Sequence, residues 1–275
     1  MRLSETLSAE TIRSGLRTQF VGQEVHYWPV IDSTNEKLKR LADEGAPEGI
    51  LAIADQQVAG RGRMDRKWIA PAGSSLLMSL LFRPTFLAAT QAQQLTMICS
   101  LAAADAVEEI TGLCPDLKWP NDLLLSGKKL AGVLTELGFA GDVLSWVIVG
   151  VGLNVNLDFT AQALHRDWPE LAQTAISLSM AVGGRPVPRL QLLHSYLADV
   201  EARYTALRVG HGPHQEWAAR LATLGQEVCV DTPDGAYRGV AQGVDETGAI
   251  LLRQPDGRVT RILAGDVTHQ ARGKK

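Results

Sequence analysis

Apolar residues recur along this chain with a period near two in some stretches and near three and a half in others, and the order of the two textures sets the architecture. Leu7, Ile12, Leu16 and Phe20 space as one face of a first helix, with Ser8 as its N-cap and Gly15 and Gly22 as weak points. Residues 25–31 read as a strand. Asp32, Ser33, Thr34 and Asn35 then open a second helix that carries Leu38 and Leu41 and stops at Gly45, so these small polar residues are expected to serve first as caps. The apolar runs 49–54 and 75–82 read as buried strands, and 91–110 as a buried helix lying on a sheet. Trp119-Pro120 fixes a break in backbone direction, and Ser126-Gly127 between apolar runs reads as a tight hairpin turn.

A strand over 143–149 leads into Gly150 to Asn156, whose glycines are expected at the edge of the sheet. An irregular segment with Asp158, His165, Asp167 and Trp168 follows, then helical patterns over 171–181, 190–207 and 215–224. From about Gly225 the texture changes to short alternating runs at 228–230, 237–244 and 250–252, separated by turn signals. That predicts a five-stranded barrel of about 45 residues, too small to stand alone and therefore docked on the larger domain. The division expected is a large domain over 1–224 and a small β-domain over 225–270.

With 275 residues and 45% hydrophobic content, the chain has material for one large core. No apolar stretch approaches the roughly 18 residues needed to span a bilayer, and the N-terminus lacks the apolar segment of a secretory signal, so a cytoplasmic location is expected. Cys99, Cys114 and Cys229 are odd in number and far apart, which argues for reduced thiols rather than a disulfide framework or a Cys-x-x-Cys metal site. A net charge of −3 gives no overall attraction to nucleic acid.

Against that acidic background the basic loop Ala54 to Trp68 stands out, because Arg61, Arg63, Arg66 and Lys67 crowd into a stretch punctuated by Gly60 and Gly62. The arginines offer planar forks suited to phosphate or carboxylate, and the glycines are expected to take positive φ and let the backbone approach a ligand. The bland reading, a solvated turn with surface charges, is weakened by the two apolar strands that carry the loop. Lys118, taken alone, reads as an exposed charge. Gly150 to Asn154 is a weak nucleotide fingerprint, lacking a third glycine, and no Walker A lysine motif occurs. His165 has no spaced carboxylate or cysteine to complete a triad or metal set.

Five motifs in order now resemble those of the biotin protein ligases. They are D-S-T-N at Asp32 to Asn35, Q-x-A-G-R-G-R with R-x-W from Gln57 to Trp68, K-W-P-N-D at Lys118 to Asp122, K-L-A-G-x-L-x-E at Lys129 to Glu136, and G-x-G-x-N at Gly150 to Asn154. The form resembled is the one without an N-terminal DNA-binding domain. The resemblance implies an α+β fold: a mixed β-sheet with flanking helices, related to class II aminoacyl-tRNA synthetases, plus a C-terminal SH3-like β-barrel. It implies two steps, biotin and ATP giving biotinyl-5′-AMP and pyrophosphate, then attack on the adenylate by a lysine of a biotin carboxyl carrier protein.

By that resemblance Ser33, Thr34, Asn35 and Gln57 would hold the ureido end of biotin, with Gly60, Arg61, Gly62 and Arg63 lining its carboxylate and the phosphates. Lys118 would touch the carboxylate and α-phosphate and, with Arg63, act on the reacting atoms. Asn121 would face the phosphates and magnesium, Asn154 the adenine, and Trp168 would cover the adenine. Magnesium would arrive with ATP, its protein ligands left open. Dimers by side-by-side sheet pairing, no DNA and no membrane partner complete the expectation. Met64-Asp65 departs from the family's Arg-Gly, lowering the loop's charge. Segments near 60–68 and 157–168 are expected to be mobile without ligand. Lipoate protein ligase is the rival within the superfamily, and a nucleic-acid-binding regulator using the same arginines is the rival of another class.

Overall fold

The computed structural model describes residues 7–64, 66–161, 164, 166 and 168–269. Asp65, His165, Asp167 and the 272–275 tail lie outside the described residues. The first helix, α1 (Ala9–Ser14), is capped by Ser8, whose hydroxyl accepts from the Thr11 amide; it ends at Gly15, short of the predicted face, where His194 donates to the Ile12 carbonyl at 2.7 Å and leaves no room for a Cβ on Gly15. After it come β1 (Val25–Ile31), α2 (Thr34–Asp43), β2 (Leu51–Gln57), β3 (Ser75–Phe82) and α3 (Gln93–Thr111). Next are β4 (Asp116–Lys118), β5 (Asp122–Leu125), β6 (Lys128–Ala140) and β7 (Val143–Asn154).

These strands form one mixed sheet in the order β1-β2-β3-β7-β6-β5-β4, parallel between β1 and β2 and antiparallel elsewhere. The predicted hairpin at Ser126-Gly127 joins β5 to β6, both residues at positive φ as a two-residue turn requires. One expectation is corrected by the sheet order: β7, carrying Gly150 to Asn154, lies between β3 and β6 in the middle of the sheet and not at its edge.

Alternation along the strands divides the apolar residues between two faces. Ile53, Leu80, Phe82, Val147 and Val149 join α3 and the long helix α6 (Arg189–Arg208) in the main core. Ala52, Leu81, Trp146 and Ile148 meet Leu38 and Ala42 of α2 on the other face. The predicted helix over 171–181 is two short ones, α4 (Leu171–Thr174) and α5 (Leu178–Ala181). The chain between them leaves the helix because Ala175 bridges to Lys129 and the Ile176 amide donates to the Lys129 carbonyl. Likewise α7 (His214–Ala219) stops before the predicted end, since Arg220 and Ala222 bond the backbone of Leu117 and Thr223 accepts from the Trp119 amide.

The C-terminal residues form β8 (Glu227–Thr232), β9 (Gly235–Val244), β10 (Ile250–Arg253), β11 (Val259–Ile262) and β12 (Asp266–His269), an antiparallel sheet in the order β11-β10-β9-β8-β12. Five short strands is the predicted number. Its Val228, Val230, Ile250 and Leu252 belong to the same apolar cluster as α3 and α6, so the core runs unbroken between the two sheets. Buried Trp119 crosses the junction, donating its indole N–H to the Gly248 carbonyl at 2.8 Å. Among the described residues no helix is long and apolar enough to cross a membrane.

Candidate active site

A cavity of about 590 Å³ opens on the α2 face of the large sheet. Its floor owes its shape to missing side chains. In the register across the sheet, Ser79, Gly150 and Leu134 form one row, and Leu77, Gly152 and Gly132 the next. A Cβ on Gly150 would lie 2.3 Å from the Asn35 carbonyl oxygen, and one on Gly152 would lie 2.5 Å from the Trp68 ring. The glycines of the G-x-G and K-L-A-G motifs therefore make room for the Asn35 amide and the Trp68 indole to lie flat on the sheet, a requirement of space rather than of backbone dihedral.

At one end the start of α2 supplies a hydrogen-bonding cluster. Ser33 occupies the N-cap position, yet its hydroxyl makes no capping bond. The first-turn donor is satisfied instead from β2, where Gln57 Oε1 accepts from the Thr34 amide at 2.8 Å and faces the Thr34 hydroxyl at 3.2 Å. The expectation that these residues are caps is corrected accordingly: with Gln57 capping the helix, the Ser33 hydroxyl is released toward the cavity. Asn35 donates to Glu136 at 2.7 Å, and Ser79 Oγ lies 2.6 Å from its carbonyl oxygen. These side chains are held from several elements, so their polar atoms are ordered before any ligand arrives.

Across the cavity lies the basic loop. Gly62 donates to the Arg66 carbonyl, Trp68 donates to the Gly60 carbonyl, and Arg61 bridges Lys67, so the loop is a small folded hairpin. Neither Gly60 nor Gly62 takes positive φ; that conformation falls on Met64, at φ 52°. Gly60 is the one predicted site residue outside the cavity wall, and its glycine is required because a Cβ would stand 2.7 Å from the Trp68 carbonyl oxygen. Arg61 pairs with Glu36 of α2 at 2.9 Å. Lys39, by its hydrogen bond, and then Arg61, by its charge, hold the Glu36 carboxyl below its ordinary range. Arg63 donates to Asn121 Oδ1 at 3.3 Å and stands 3.7 Å from Asp266, while burial pulls its guanidinium below the ordinary arginine value. Asn121 is itself fixed to β6, donating to the Val133 carbonyl at 2.6 Å.

The remaining predicted residues meet at the same wall. Lys118, Asn121, Asn154 and Trp168 line it, together with Ser33, Thr34, Asn35, Gln57, Arg61, Gly62 and Arg63. The amide nitrogen of Asn154 is committed to the Ile176 carbonyl at 3.3 Å. Sequence reasoning missed three groups. Lys129 stands over the Trp68 ring at 5.7 Å and 2.7 Å from Asp122, nearer the glycine floor than its place in a strand pattern suggested. Trp68 closes the R-x-W motif without a role in the sequence reading, although its buried indole N–H finds no acceptor among the described residues. Asp266 comes from the C-terminal sheet. A lysine beginning the K-L-A-G motif was a usable signal for the first; nothing local marked the last.

Such a wall, with neutral hydrogen-bonding groups at one end and fixed cations at the other, suits a ligand with a polar uncharged head and an anionic tail beside phosphates. Residues 27–154 match the biotin/lipoate A/B protein ligase family, and residues 223–269 match the biotin protein ligase C-terminal domain. The bifunctional ligase/repressor BirA of Bacillus subtilis is 37% identical over 95% of this chain and 78% of its own length. The biotin–[acetyl-CoA-carboxylase] ligase of Paracoccus denitrificans is 35% identical over 82% of this chain and 93% of its own. The structure of the biotin protein ligase from Aquifex aeolicus in complex with biotin and ATP superposes with a TM-score of 0.73 at 28% identity, covering 90% of this chain and 99% of that one. Cavity, fold and relatives agree: this chain belongs to the biotin protein ligase family.

Proposed function

We propose that this protein attaches biotin to a specific lysine of a biotin carboxyl carrier protein through a biotinyl-5′-AMP intermediate. The observation that carries the reading is the single cavity in which the Ser33–Thr34–Asn35–Gln57 cluster faces the arginines of the basic loop, with Lys118 and Lys129 in the same wall. In the first step a biotin carboxylate oxygen bonds to the α-phosphorus of ATP, the bond from that phosphorus to the bridging oxygen breaks, and pyrophosphate leaves. Two anions meet and charge spreads in the transition state, so fixed cations are what the protein must supply, and no protein nucleophile is needed. Arg63 and Lys118 are assigned to the reacting carboxylate and α-phosphate, with Lys129 as a further cation; Asn154 and Trp168 are assigned to the adenine.

In the second step the neutral amine of the acceptor lysine attacks the acyl carbon, AMP departs with the electron pair of the mixed anhydride, and the amide nitrogen loses a proton. Magnesium is expected on ATP oxygens and water: among the described residues no three acidic, histidine or cysteine side chains gather. The wall offers Asn121 Oδ1 and the Asp122 carboxylate, which face Arg63 and Lys129 and would hold such an ion by exchanging those partners for it. Bound there, it would neutralise phosphate charge.

The proposal also divides the chain into a catalytic domain over 1–224 and an SH3-like domain over 225–270. It includes a homodimer, supported by the outer edge of β6, where the β5 ladder ends at Gly132 and Leu137 and Phe139 are exposed beyond it. The three free thiols suit a reducing cytoplasm, and DNA is not among the proposed partners because Arg61, Arg63 and Arg66 face the protein's own carboxylates. ATP–pyrophosphate exchange with biotin, with lipoate and with no acid tests the whole reading. Exchange dependent on biotin alone is expected; exchange driven by lipoate, or by neither acid, overturns it.

A further inference from the structure

The basic loop is fastened at both ends to carboxylates of the protein, and they belong to different parts of the fold. At its start Arg61 pairs with Glu36 on α2. At its far end Arg66 donates to Asp266, the first residue of β12, across 200 positions of sequence. The same carboxylate faces Arg63 with its other oxygen at 3.7 Å, too far for a hydrogen bond but close enough to favour the charged guanidinium. Val267 and Thr268 continue the cavity wall beside it, so β12 is a side of the site and not merely a neighbour.

An exposed ion pair contributes little on its own. This one differs in the partner: the Asp266 side chain is only 19% exposed, against 68% for Arg66, so the arginine reaches from solvent down to a carboxylate already positioned by the strand. Asp266 pairs in register with Asp231 of β8, which anchors it to the C-terminal sheet. We infer that Asp266 is a positioning residue for the cavity: through Arg66 it fastens the basic loop to the C-terminal sheet, and by facing Arg63 it keeps that guanidinium turned inward. The C-terminal sheet thereby holds one side of the loop that must close over the ligand. Loop fastening stands without the biotin reading; only the consequence for the adenylate rests on it.

The test compares the full-length protein with Asp266→Asn, Arg66→Gln, the double variant and Asp266→Glu. The first readout is amide hydrogen exchange over residues 60–68 with no substrate present. Arg66→Gln is expected to speed it by about tenfold, the scale of one charge-assisted hydrogen bond, Asp266→Asn by at least as much because it also gives up the facing of Arg63, and the double variant by no more than Asp266→Asn alone, because the Arg66 contact is already lost there. Asp266→Glu, which keeps the charge, should restore slow exchange in part. The second readout is the rate at which biotinyl-AMP escapes from the loaded enzyme, expected to rise in the same order. Unchanged loop exchange in Arg66→Gln, or effects that multiply in the double variant, overturns the inference. If Asp266→Asn loosens all of 227–269, Arg66→Gln, which leaves that sheet untouched, decides the matter. Should the wild-type protein form no biotinyl-AMP, the proposed function fails while the first readout still decides this one.

Discussion

Lys118 and Lys129 share a wall of the cavity but differ in what holds them, since Lys129 is seated between Asp122 and the Trp68 ring. Loss of one preorganised cation from a transition state that spreads negative charge should slow adenylation by about 10²- to 10³-fold, by comparison with loss of one oxyanion donor. Pyrophosphate exchange on Lys118→Ala is expected to fall by that amount with folding intact, and Lys129→Ala to fall comparably. A Lys118→Ala enzyme with near-normal exchange would remove Lys118 from the chemistry and leave Lys129 as the lysine that acts. For Arg63→Gly the expectation is different. Arg61, Lys118 and Lys129 remain to support the first step, whereas the loop loses its bond to Asn121 and its facing of Asp266. Adenylation should continue at a reduced rate, since one cation assigned to the reacting atoms is gone, and biotinyl-AMP should leave faster, read as the dissociation rate of the intermediate and as biotin appearing on an unrelated lysine-rich protein. Unchanged escape would assign Arg63 to substrate binding alone. At this scale the arginines were legible because four cations crowd one glycine-punctuated loop, whereas Ser33, Thr34 and Asn35 are ordinary N-cap types and were legible as a site only through the family motif. Lys129 was not, because a lysine in an alternating strand has the same appearance whether it faces solvent or ligand.

Among elements, β7 carries the sharpest demand. Gly150 and Gly152 lie in extended backbone where any residue could be accommodated by dihedral, so only the neighbours forbid a side chain. Gly150→Ala would drive a methyl group into the Asn35 carbonyl at 2.3 Å, displacing an amide bonded to Glu136 and approached by Ser79. Because backbone and a networked side chain cannot yield cheaply, biotin affinity should drop by at least about tenfold, the effect of disturbing one or two buried hydrogen bonds. Titration calorimetry of biotin reads the loss, and affinity equal to the wild type would show that Asn35 does not touch the ligand. The strands and the long helices were readable from their periods, and Ser126-Gly127 from its turn chemistry. The ends of α1, α4 and α7 were not, because each stops where tertiary contacts take over: His194 beside Gly15, Lys129 beside Ala175, and Leu117 beside Arg220.

As a whole the molecule is two sheets around one continuous apolar core, tied by the Trp119 bond to Gly248 and by Asp266 at the loop. Such a junction predicts one cooperative unfolding transition rather than two, with biotin and ATP together raising its midpoint because both bind only the folded state. Scanning calorimetry checks this, and a separate early transition for residues 225–269 would show that the C-terminal sheet is only an appendage. The sequence by itself determined the strand and helix content, the place of the basic loop between two buried strands, the change of texture near Gly225 and the family motifs. All of these are carried by residues close together in the chain, where period, turn chemistry and residue type act locally. Only the tertiary structure decided that β7 is central, that glycines clear space for Asn35 and Trp68, that Gln57 caps α2 in place of Ser33, and that Asp266 meets Arg66. Each of those depends on strand register and on how one sheet docks against the other, which are settled by burying the whole apolar surface at once and leave no trace in any one stretch of sequence.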